Sequence, residues 1–347
     1  MRAFYHPEQA LHDPQQYMRF GRVVAAKDLP CRTDRLLQAL DRHGIQPELP
    51  AAGGEAVLGI HTAPFVEFLR TAWDQWQDLP PERGPEVWPA TFPYWSGSPE
   101  EAHRPECRST GMLGRMGWYL GDLSVPVGPH TWQSTLRSAE TAVAGADAIL
   151  GGGARAFALC RPSGHHARAD RASGFCYLNN AAIAAQRLRS RFVRVAVLDV
   201  DVHHGDGTQQ IFYGRDDVLT ISIHGDPADF YPFYTGYADE RGSGLGEGFN
   251  LNLPLPPGAG KPQMMAALGT AAAAIREFGA QAVVLALGYD AHEADPIGIL
   301  RLQSEDFEDI GRAVRALGLP TLIVQEGGYA TEVIGDCLDA FLAGSLA

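Results

Sequence analysis

From about residue 132 to the end of the chain, short apolar runs alternate with segments of helical periodicity. The runs rich in β-branched and other apolar residues predict strands at 156–160, 195–200, 218–223, 283–287 and 321–324. Apolar residues that recur at helical spacing predict helices at 132–150, 180–188, 263–278 and 305–317. Strands that alternate with helices are typical of a parallel sheet with helices on both faces, so the pattern predicts an α/β fold.

The first third of the chain follows a different pattern. Helices are predicted at 33–43, which ends at Gly44, and at 64–76, where five apolar residues share one face: Phe65, Phe68, Leu69, Ala72 and Trp76. Residues 79–131 lack regular periodicity and are rich in proline, glycine and aromatic residues, among them Tyr94 and Trp95. We interpret the chain as a single domain, 1–347, with an ordered insertion at 79–131 that serves as a lid or a dimer interface.

The amino-acid composition excludes some classes of binding partner. The chain has 28 lysines and arginines against 41 aspartates and glutamates, a formal net charge of −13. Because it has no basic tract, nucleic acid is not expected as a partner, and a cationic substrate suits the chain better. Its five cysteines form no CxxC pair, which argues against a disulfide framework, and no apolar run approaches the ~18 residues of a membrane span. We expect a cytoplasmic protein with no membrane association.

Polar residues follow four of the five predicted strands. The segments are 161–166, 199–207, 288–292 and 326–329, and each contains acidic, histidine or tyrosine side chains. In open α/β sheets, ligands bind beyond the carboxyl ends of the strands. We therefore expect these four segments to converge at one edge of the sheet.

Asp201 and His203 have the spacing of two metal ligands. They are two residues apart, so on an extended segment their side chains point to the same side. With Asp290 from another strand end, they would form a three-ligand set that leaves a position open for water, as catalytic zinc sites do. The alternative is that Asp199 and Asp201 only cap a strand end, but buried carboxylates are costly unless they are paired or bind metal.

A tandem histidine pair and a tyrosine supply candidate catalytic groups. Asp199 and Asp206 are available as partners for His165 and His166, and a carboxylate bound to one ring nitrogen raises the basicity of the other. The pair predicts a general base and an electrostatic partner. Tyr329, which follows two glycines, is a candidate donor to a developing oxyanion. An ordinary surface loop is the alternative for the histidines, and simple packing is the alternative for the tyrosine.

Several long motifs together resemble the histone deacetylase superfamily. They are Arg161-Pro-Ser-Gly-His-His-Ala, Gly174-Phe-Cys-Tyr-Leu-Asn-Asn, Leu198-Asp-Val-Asp-Val-His-His-Gly-Asp-Gly-Thr, Asp290-Ala-His-Glu-Ala-Asp-Pro and Glu326-Gly-Gly-Tyr. Within the superfamily, the chain is most similar to bacterial acetylpolyamine amidohydrolases. The resemblance implies an arginase/deacetylase fold, in which a central parallel sheet has helices on both faces, and a zinc-dependent hydrolysis of N-acetyl amides.

The resemblance also implies roles for individual residues. One zinc ion is expected at Asp201, His203 and Asp290. The expected catalytic residues are His165, His166, Tyr329, Asp199 and Asp206, and the expected substrate-binding residues are Phe175, Tyr231, Gly174 and Asp122. A structural potassium ion is expected near Asp199, Asp201, His203, Ser222 and Ile223, and a homodimer is expected as in relatives.

Two departures bear on the substrate. Leu113 and Ser124 stand where polyamine-specific relatives are expected to carry acidic residues. Asp122 and Glu106 lie nearby in the sequence and are candidates to replace them, and a solvated surface role is the alternative for each. The resemblance therefore implies small substrates, either acetylpolyamines or acetylated diamines such as N-acetylputrescine and N-acetylcadaverine. Peptides or proteins that contain acetyl-lysine are the alternative, although a narrow tunnel disfavours folded substrates.

Two other functions compete with deacetylation. A ureohydrolase such as an arginase or agmatinase shares the fold and an Asp-x-His motif, but Gly205 and His292 stand where its second manganese ion would need carboxylates. A non-enzymatic sensor of acetate or small amines is the second competitor. The presence of Tyr329 and both tandem histidines argues against it.

Overall fold

The structure is a computed structural model that describes residues 1–51, 53–93 and 105–347. Tyr94 and Trp95, which contribute to the aromatic content of the predicted insertion, lie outside the described residues. All five cysteines are free thiols, as their number and spacing predict. None of the helices in the described part of the chain has both the length and the apolar content that crossing a membrane requires.

The central element is a parallel sheet of seven strands, counted over the described residues. In chain order the strands are β1 (Arg2–Phe4), β4 (Arg155–Ala158), β5 (Val195–Asp199), β6 (Val218–Gly225), β7 (Asn250–Leu255), β8 (Ala282–Leu287) and β9 (Thr321–Gln325). Their order across the sheet is β1-β4-β9-β8-β5-β6-β7, and each neighbouring pair is parallel. A separate antiparallel hairpin consists of β2 (Gln16–Arg19) and β3 (Arg22–Ala25).

Helices cover both faces of the sheet. They are α1 (Cys31–Arg42), α2 (Ala63–Gln77), α3 (Met112–Tyr119), α4 (Thr131–Leu150), α5 (Asn180–Leu188), α6 (Asp206–Phe212), α7 (Lys261–Phe278), α8 (Asp306–Arg315) and α9 (Ile334–Leu346). Short 3₁₀ helices lie at Pro7–Leu11, Gly54–Gly59 and Gly244–Gly246.

The alternation of side chains along the strands builds two cores. In β5, Ala196 and Leu198 pack with residues of α1, α7, α8 and α9, whereas Val195 and Val197 pack with α4 and α5 on the opposite face. All five residues of β5 are buried, so the strand has apolar neighbours on both sides. This double burial explains why such strands read as continuous apolar runs in the sequence.

The five strands predicted from the apolar runs are confirmed to within two residues at each end. The predicted insertion at 79–131 is more regular than its sequence suggests. It contains α3, and Val87 pairs with Val127 in an isolated antiparallel bridge. Residues of α2, α3 and this segment form a third apolar cluster. The described part of the segment therefore contains a short helix that its irregular sequence pattern does not indicate, because apolar contacts with α2 stabilise α3.

Candidate active site

The order of the strands brings the four polar segments together. β4, β9, β8 and β5 are immediate neighbours in the sheet, and the polar segments follow these four strands. Since parallel strands end at the same edge, the side chains after them meet above that edge. The convergence expected from the sequence is present in the structure.

Three of these side chains form a candidate metal centre. Nδ1 of His203 lies 3.2 Å from Oδ1 of Asp201 and 3.2 Å from Oδ2 of Asp290. One ligand atom from each residue lies within 4.8 Å of the others, and all three residues are buried. The backbone N–H groups of Val202 and Gly327 hold the carboxylates in place, by donating to Asp290 at 3.0 Å and to Asp201 at 2.8 Å.

The chemistry of this centre fits a divalent cation. Burial and the nearby carboxylate of Asp201 raise the pKa of Asp290 to about 7, because two negative charges in a buried site disfavour each other. A bound cation removes that conflict. Two oxygen donors and one imidazole nitrogen are suitable ligands for zinc. Gly327 permits the close approach, since a Cβ atom there would collide with carboxylate oxygens of Asp201 and Asp290.

A second trio of potential ligands, His165, Cys176 and Glu326, is less suited to metal. Burial, assisted by the charge of Glu326, raises the pKa of Cys176 well above its usual value. A thiol that stays protonated is a poor ligand, because metals bind the thiolate. Oε2 of Glu326 instead accepts hydrogen bonds from the backbone N–H groups of Gly164, at 2.7 Å, and His165, at 3.2 Å. Glu326 therefore holds the loop that carries the tandem histidines.

The two histidines each pair with the aspartate expected from the sequence. Nδ1 of His165 lies 2.9 Å from Oδ2 of Asp199, and Nδ1 of His166 lies 2.7 Å from Oδ1 of Asp206. Arg168 in turn donates to the other oxygen of Asp206 at 2.9 Å. With Nδ1 engaged in this way, Nε2 of each ring remains for chemistry.

The tandem histidines differ in charge. Burial lowers the pKa of His165, but Asp199 and Asp201 outweigh this effect and raise it well above the usual value. For His166, burial and the neighbouring charge of His165 lower the pKa to about 4. His166 is thus neutral near pH 7 while His165 is cationic, a separation typical of paired acid–base groups. Of the two, His166 lines the adjoining cavity.

Tyr329 enters the same cavity from the end of β9. Its backbone N–H donates to Asp295 at 2.7 Å, and its ring lies 5.5 Å from that of Phe175. Burial raises the pKa of Tyr329 well above its usual value, although the nearby Arg32 opposes the shift. The phenol therefore keeps its proton and can donate a hydrogen bond to an oxygen in the cavity.

The cavity has a volume of about 370 Å³, and aromatic side chains form much of its lining. Tyr231 stands edge-on to His166, with ring centroids 5.0 Å apart. Phe175 has φ +65°, and Gly174 before it has φ +54°, where a side chain would collide with the His166 ring. The four residues predicted to bind substrate, Phe175, Tyr231, Gly174 and Asp122, all line this cavity.

The acidic residues proposed for the rim differ in their placement. Asp122 lines the cavity, but its carboxylate already accepts hydrogen bonds from Gly174, Tyr231 and Ser124. Glu106 is exposed and is not among the described residues that line the cavity. Asp122 is therefore engaged within the cavity lining, and Glu106 has the exposed position that was the alternative for it.

Sequence reasoning missed several residues at the site. The hairpin residues Tyr17 and Arg19 line the cavity, as do Asp229 and Phe230 before Tyr231. Tyr17 and Arg19 lie about 150 residues before the tandem histidines, and no local pattern marks them as part of the site. Asp229 and Phe230 directly precede Tyr231, which was predicted to bind substrate, so their position in the sequence could have identified them as cavity residues.

Comparisons with known proteins identify the family of this chain. A family profile described as histone deacetylase domain matches residues 27–345. The acetylpolyamine amidohydrolase of Burkholderia pseudomallei is 42% identical over 345 residues, which are 99% of this chain and 98% of that protein. Acetylpolyamine amidohydrolase 1 of Pseudomonas aeruginosa is 40% identical over 338 residues, and the match covers 96% of each chain.

Solved structures agree as well. A crystal structure of acetylpolyamine aminohydrolase from Burkholderia pseudomallei superposes with a TM-score of 0.94 at 42% identity, and the match covers 100% of this chain and 99% of that one. The HDA15 HD domain superposes with a TM-score of 0.79 at 25% identity, over 99% of this chain and 89% of that one. The domain profile, the relatives that match over nearly the whole chain and the structural similarity lead to the same conclusion. The chain belongs to the histone deacetylase family of hydrolytic deacetylases and has the arginase/deacetylase fold.

Proposed function

We propose that this deacetylase hydrolyses the N-acetyl amides of small amines, with zinc held by Asp201, His203 and Asp290. The products are the free amine and acetate. The observation that carries the proposal is that His166, His203 and Tyr329 line one cavity with aromatic walls. The proposed substrates are acetylpolyamines and acetylated diamines such as N-acetylputrescine and N-acetylcadaverine, which agrees with the names of the relatives.

The residues of the cavity have separate tasks in this reaction. Zinc, when bound, polarises the acetyl carbonyl and lowers the pKa of a coordinated water. His166, neutral near pH 7, accepts the proton of the attacking water and later passes a proton to the leaving amine. Tyr329 donates a hydrogen bond to the oxyanion that develops on the carbonyl carbon. His165, held by Asp199, provides positive charge close to the reacting groups.

The rest of the cavity suits an amine with a methylene chain. Phe175 and Tyr231 offer aromatic surface to the methylene groups. Two carboxylates, those of Asp122 and Asp229, are found among the described residues of the lining. Their negative charge, together with the acidic character of the whole chain, attracts a substrate whose distal amine is protonated.

A two-metal ureohydrolase site finds no support here. Gly205 contributes no side chain, and His292 is engaged elsewhere. Its Nδ1 accepts the backbone N–H of Ala294 at 3.0 Å, and its Nε2 lies 3.3 Å from the hydroxyl of Ser304. Acetyl-lysine peptides remain the second candidate substrate, because the four methylene groups of the acetylated side chain together with Cα match the five-carbon chain of N-acetylcadaverine.

An acetate-release assay tests the proposed function. Zinc-loaded protein should release acetate from N-acetylputrescine, N-acetylcadaverine and N8-acetylspermidine faster than from an acetyl-lysine peptide. The Tyr329→Phe variant, which is expected to retain zinc, serves as the control for contaminating activity. Absence of acetate from all four compounds at full zinc occupancy would show that the substrate is of another kind.

Two further expectations come from the family resemblance alone. We propose a structural potassium ion near Asp199, Asp201, His203, Ser222 and Ile223, and a homodimer. An increase in melting temperature in potassium chloride relative to tetramethylammonium chloride would support the ion. Light scattering measures the oligomeric state directly.

A further inference from the structure

Two charged residues of opposite sign in the cavity lining, Arg19 and Asp229, are half-buried and exposed, respectively, and define what we call the mouth of the cavity. Arg19 ends β2 in the hairpin, and Asp229 lies in the loop after β6. The guanidinium of Arg19 donates to the carbonyl of Pro296 at 2.9 Å and lies 5.0 Å from the centroid of the Phe20 ring. Asp229 is exposed, and in the described part of the chain neither group is engaged in an ion pair. Both charges therefore remain for a ligand.

The two groups belong to different walls of the cavity. Tyr17 and Arg19 are two apart on β2, so they share one face of the strand. The Tyr17 ring lies 5.2 Å from Phe175, which lies 5.5 Å from Tyr329. Arg19 thus stands at the outer end of a row of aromatic rings that begins at the candidate catalytic tyrosine.

The other wall adjoins the metal centre through Phe230. Asp229 directly precedes Phe230, and the Phe230 ring stacks on His203 with centroids 4.8 Å apart and an interplanar angle of 14°. Both charged residues line the same cavity as His203 and Tyr329. A substrate whose acetyl group lies at His203 and Tyr329 therefore shares the cavity with a carboxylate on one wall and a guanidinium on the other.

An acetylated diamine uses only one of these groups. Its distal ammonium is attracted to Asp229, but the positive charge of Arg19 repels it. Asp122 adds negative charge to the lining, but its oxygens accept hydrogen bonds from Gly174, Tyr231 and Ser124, and in the described part of the chain it forms no ion pair with Arg19. A substrate end that carries both an ammonium and a carboxylate would form an ion pair with Asp229 and another with Arg19.

We propose, on the basis of the function proposed above, that the mouth binds the zwitterionic end of an ω-N-acetylated diamino acid such as Nε-acetyllysine or Nδ-acetylornithine. Asp229 binds the α-ammonium group, and Arg19 binds the α-carboxylate through charge-assisted hydrogen bonds. Hydrolysis breaks the amide C–N bond, the water oxygen enters acetate, and the amine leaves with the proton as the free diamino acid. In a peptide the α-groups are amides without charge, so the free amino acid is favoured over acetyl-lysine peptides.

Matched substrates isolate the contribution of the carboxylate. Nε-acetyllysine and N-acetylcadaverine differ only in the α-carboxylate, as do Nδ-acetylornithine and N-acetylputrescine. In the wild-type protein, kcat/KM should be about tenfold higher for the amino acid of each pair, the effect of one charge-assisted hydrogen bond at a partly exposed site. Arg19→Gln should remove this preference, and Arg19→Lys should retain part of it. Asp229→Asn should lower kcat/KM for both members of each pair, since both carry the ammonium.

The hairpin offers a matched control for charge. Arg22 lies directly opposite Arg19 in the β2–β3 register and is exposed, but it is not among the described residues that line the cavity. Arg22→Gln therefore changes the net charge equally and should keep the wild-type preference for the amino acid. Circular dichroism and melting temperatures of all variants verify that each is folded.

The outcomes separate this inference from the proposed function. If the wild-type protein hydrolyses N-acetylcadaverine with no preference for Nε-acetyllysine, or if Arg19→Gln leaves the preference unchanged, the inference is wrong and the proposed function stands. A higher kcat/KM for an acetyl-lysine peptide than for free Nε-acetyllysine also overturns it. If no acetate is released from any of these compounds, both the inference and the proposed function are wrong.

Discussion

The phenol of Tyr231 donates a 2.6 Å hydrogen bond to Oδ2 of Asp122. The same oxygen accepts the backbone N–H of Gly174 at 3.1 Å, and the other oxygen accepts the N–H of Ser124 at 2.8 Å. One carboxylate therefore connects the loop that carries Phe175 to the loop that carries Tyr231. It sets the width of the cavity rather than serving as a free charge at the rim.

This connection gives the first prediction. Asp122→Asn replaces one acceptor oxygen with a donor, so one side of the connection is lost and the walls lose their fixed spacing. We expect kcat/KM for N-acetylcadaverine to fall about tenfold. Tyr231→Phe removes a single hydrogen bond and keeps the ring, so a smaller fall of about threefold is expected. An Asp122→Asn variant as active as the wild-type protein would contradict this positioning role.

Loss of the Tyr329 hydroxyl should lower turnover without affecting metal binding. Tyr329→Phe keeps the aromatic contact with Phe175 and removes the donor to the oxyanion. We expect kcat to decrease by ~10²-fold or more, the usual effect of losing one such donor. Steady-state kinetics and zinc content are measured on the same preparation. Near-normal kcat in the variant would exclude Tyr329 from this role.

Removal of one carboxylate from the metal centre should abolish zinc binding. Asp201→Ala eliminates one proposed ligand and leaves His203 and Asp290 with too few donors to hold the ion. Elemental analysis of the purified variant should find little zinc, while Tyr329→Phe retains about one ion per chain. Stoichiometric zinc in Asp201→Ala would place the metal elsewhere.

His61 predicts a dependence of stability on pH. Burial lowers its pKa to about 4, so the ring is neutral when folded, with Nδ1 3.0 Å from the carbonyl of Arg168 and Nε2 accepting the N–H of Asn179 at 2.9 Å. A base whose pKa is lower in the folded state than in the unfolded state binds more protons when unfolded. Stability from this group is therefore complete above about pH 6.5 and declines as the pH falls toward 4.

A variant isolates the contribution of His61 from those of the other buried histidines. The difference in free energy of unfolding between wild type and His61→Gln should shrink by about 2 kcal/mol between pH 7.5 and pH 5. Urea denaturation at the two pH values measures this difference. A difference that is independent of pH would mean that His61 does not titrate as its environment indicates.

The sequence identifies the interior of the sheet because β4, β5, β6, β8 and β9 are buried on both faces and therefore read as apolar runs. It does not identify the edge strands. β1 has only three residues, and β7 contains Pro254 and lies at the other edge, where proline is tolerated. The helix α9 was missed although Ile334, Leu338 and Phe341 recur at helical spacing, so its signal was present in the sequence.

The residues of the site also divide into those that the sequence identifies and those that only the structure reveals. Asp201, His203, His165 and Tyr329 stand in motifs at strand ends, and their convergence follows from the topology of a parallel sheet. The hydrogen bond between Tyr231 and Asp122 joins two loops that are 109 residues apart in the chain. The position of Arg19 depends on how the separate β2–β3 hairpin packs against the rest of the domain. No local pattern encodes such contacts, so only the folded chain reveals them.

The order of the sheet has a consequence for folding. The four strands whose ends supply the site are the contiguous group β4-β9-β8-β5, and the residues that meet above them span positions 165 to 329. No fragment of the chain shorter than this span can assemble the site. Catalytic activity should therefore disappear together with the sheet during unfolding, and its recovery reports that the whole domain has refolded.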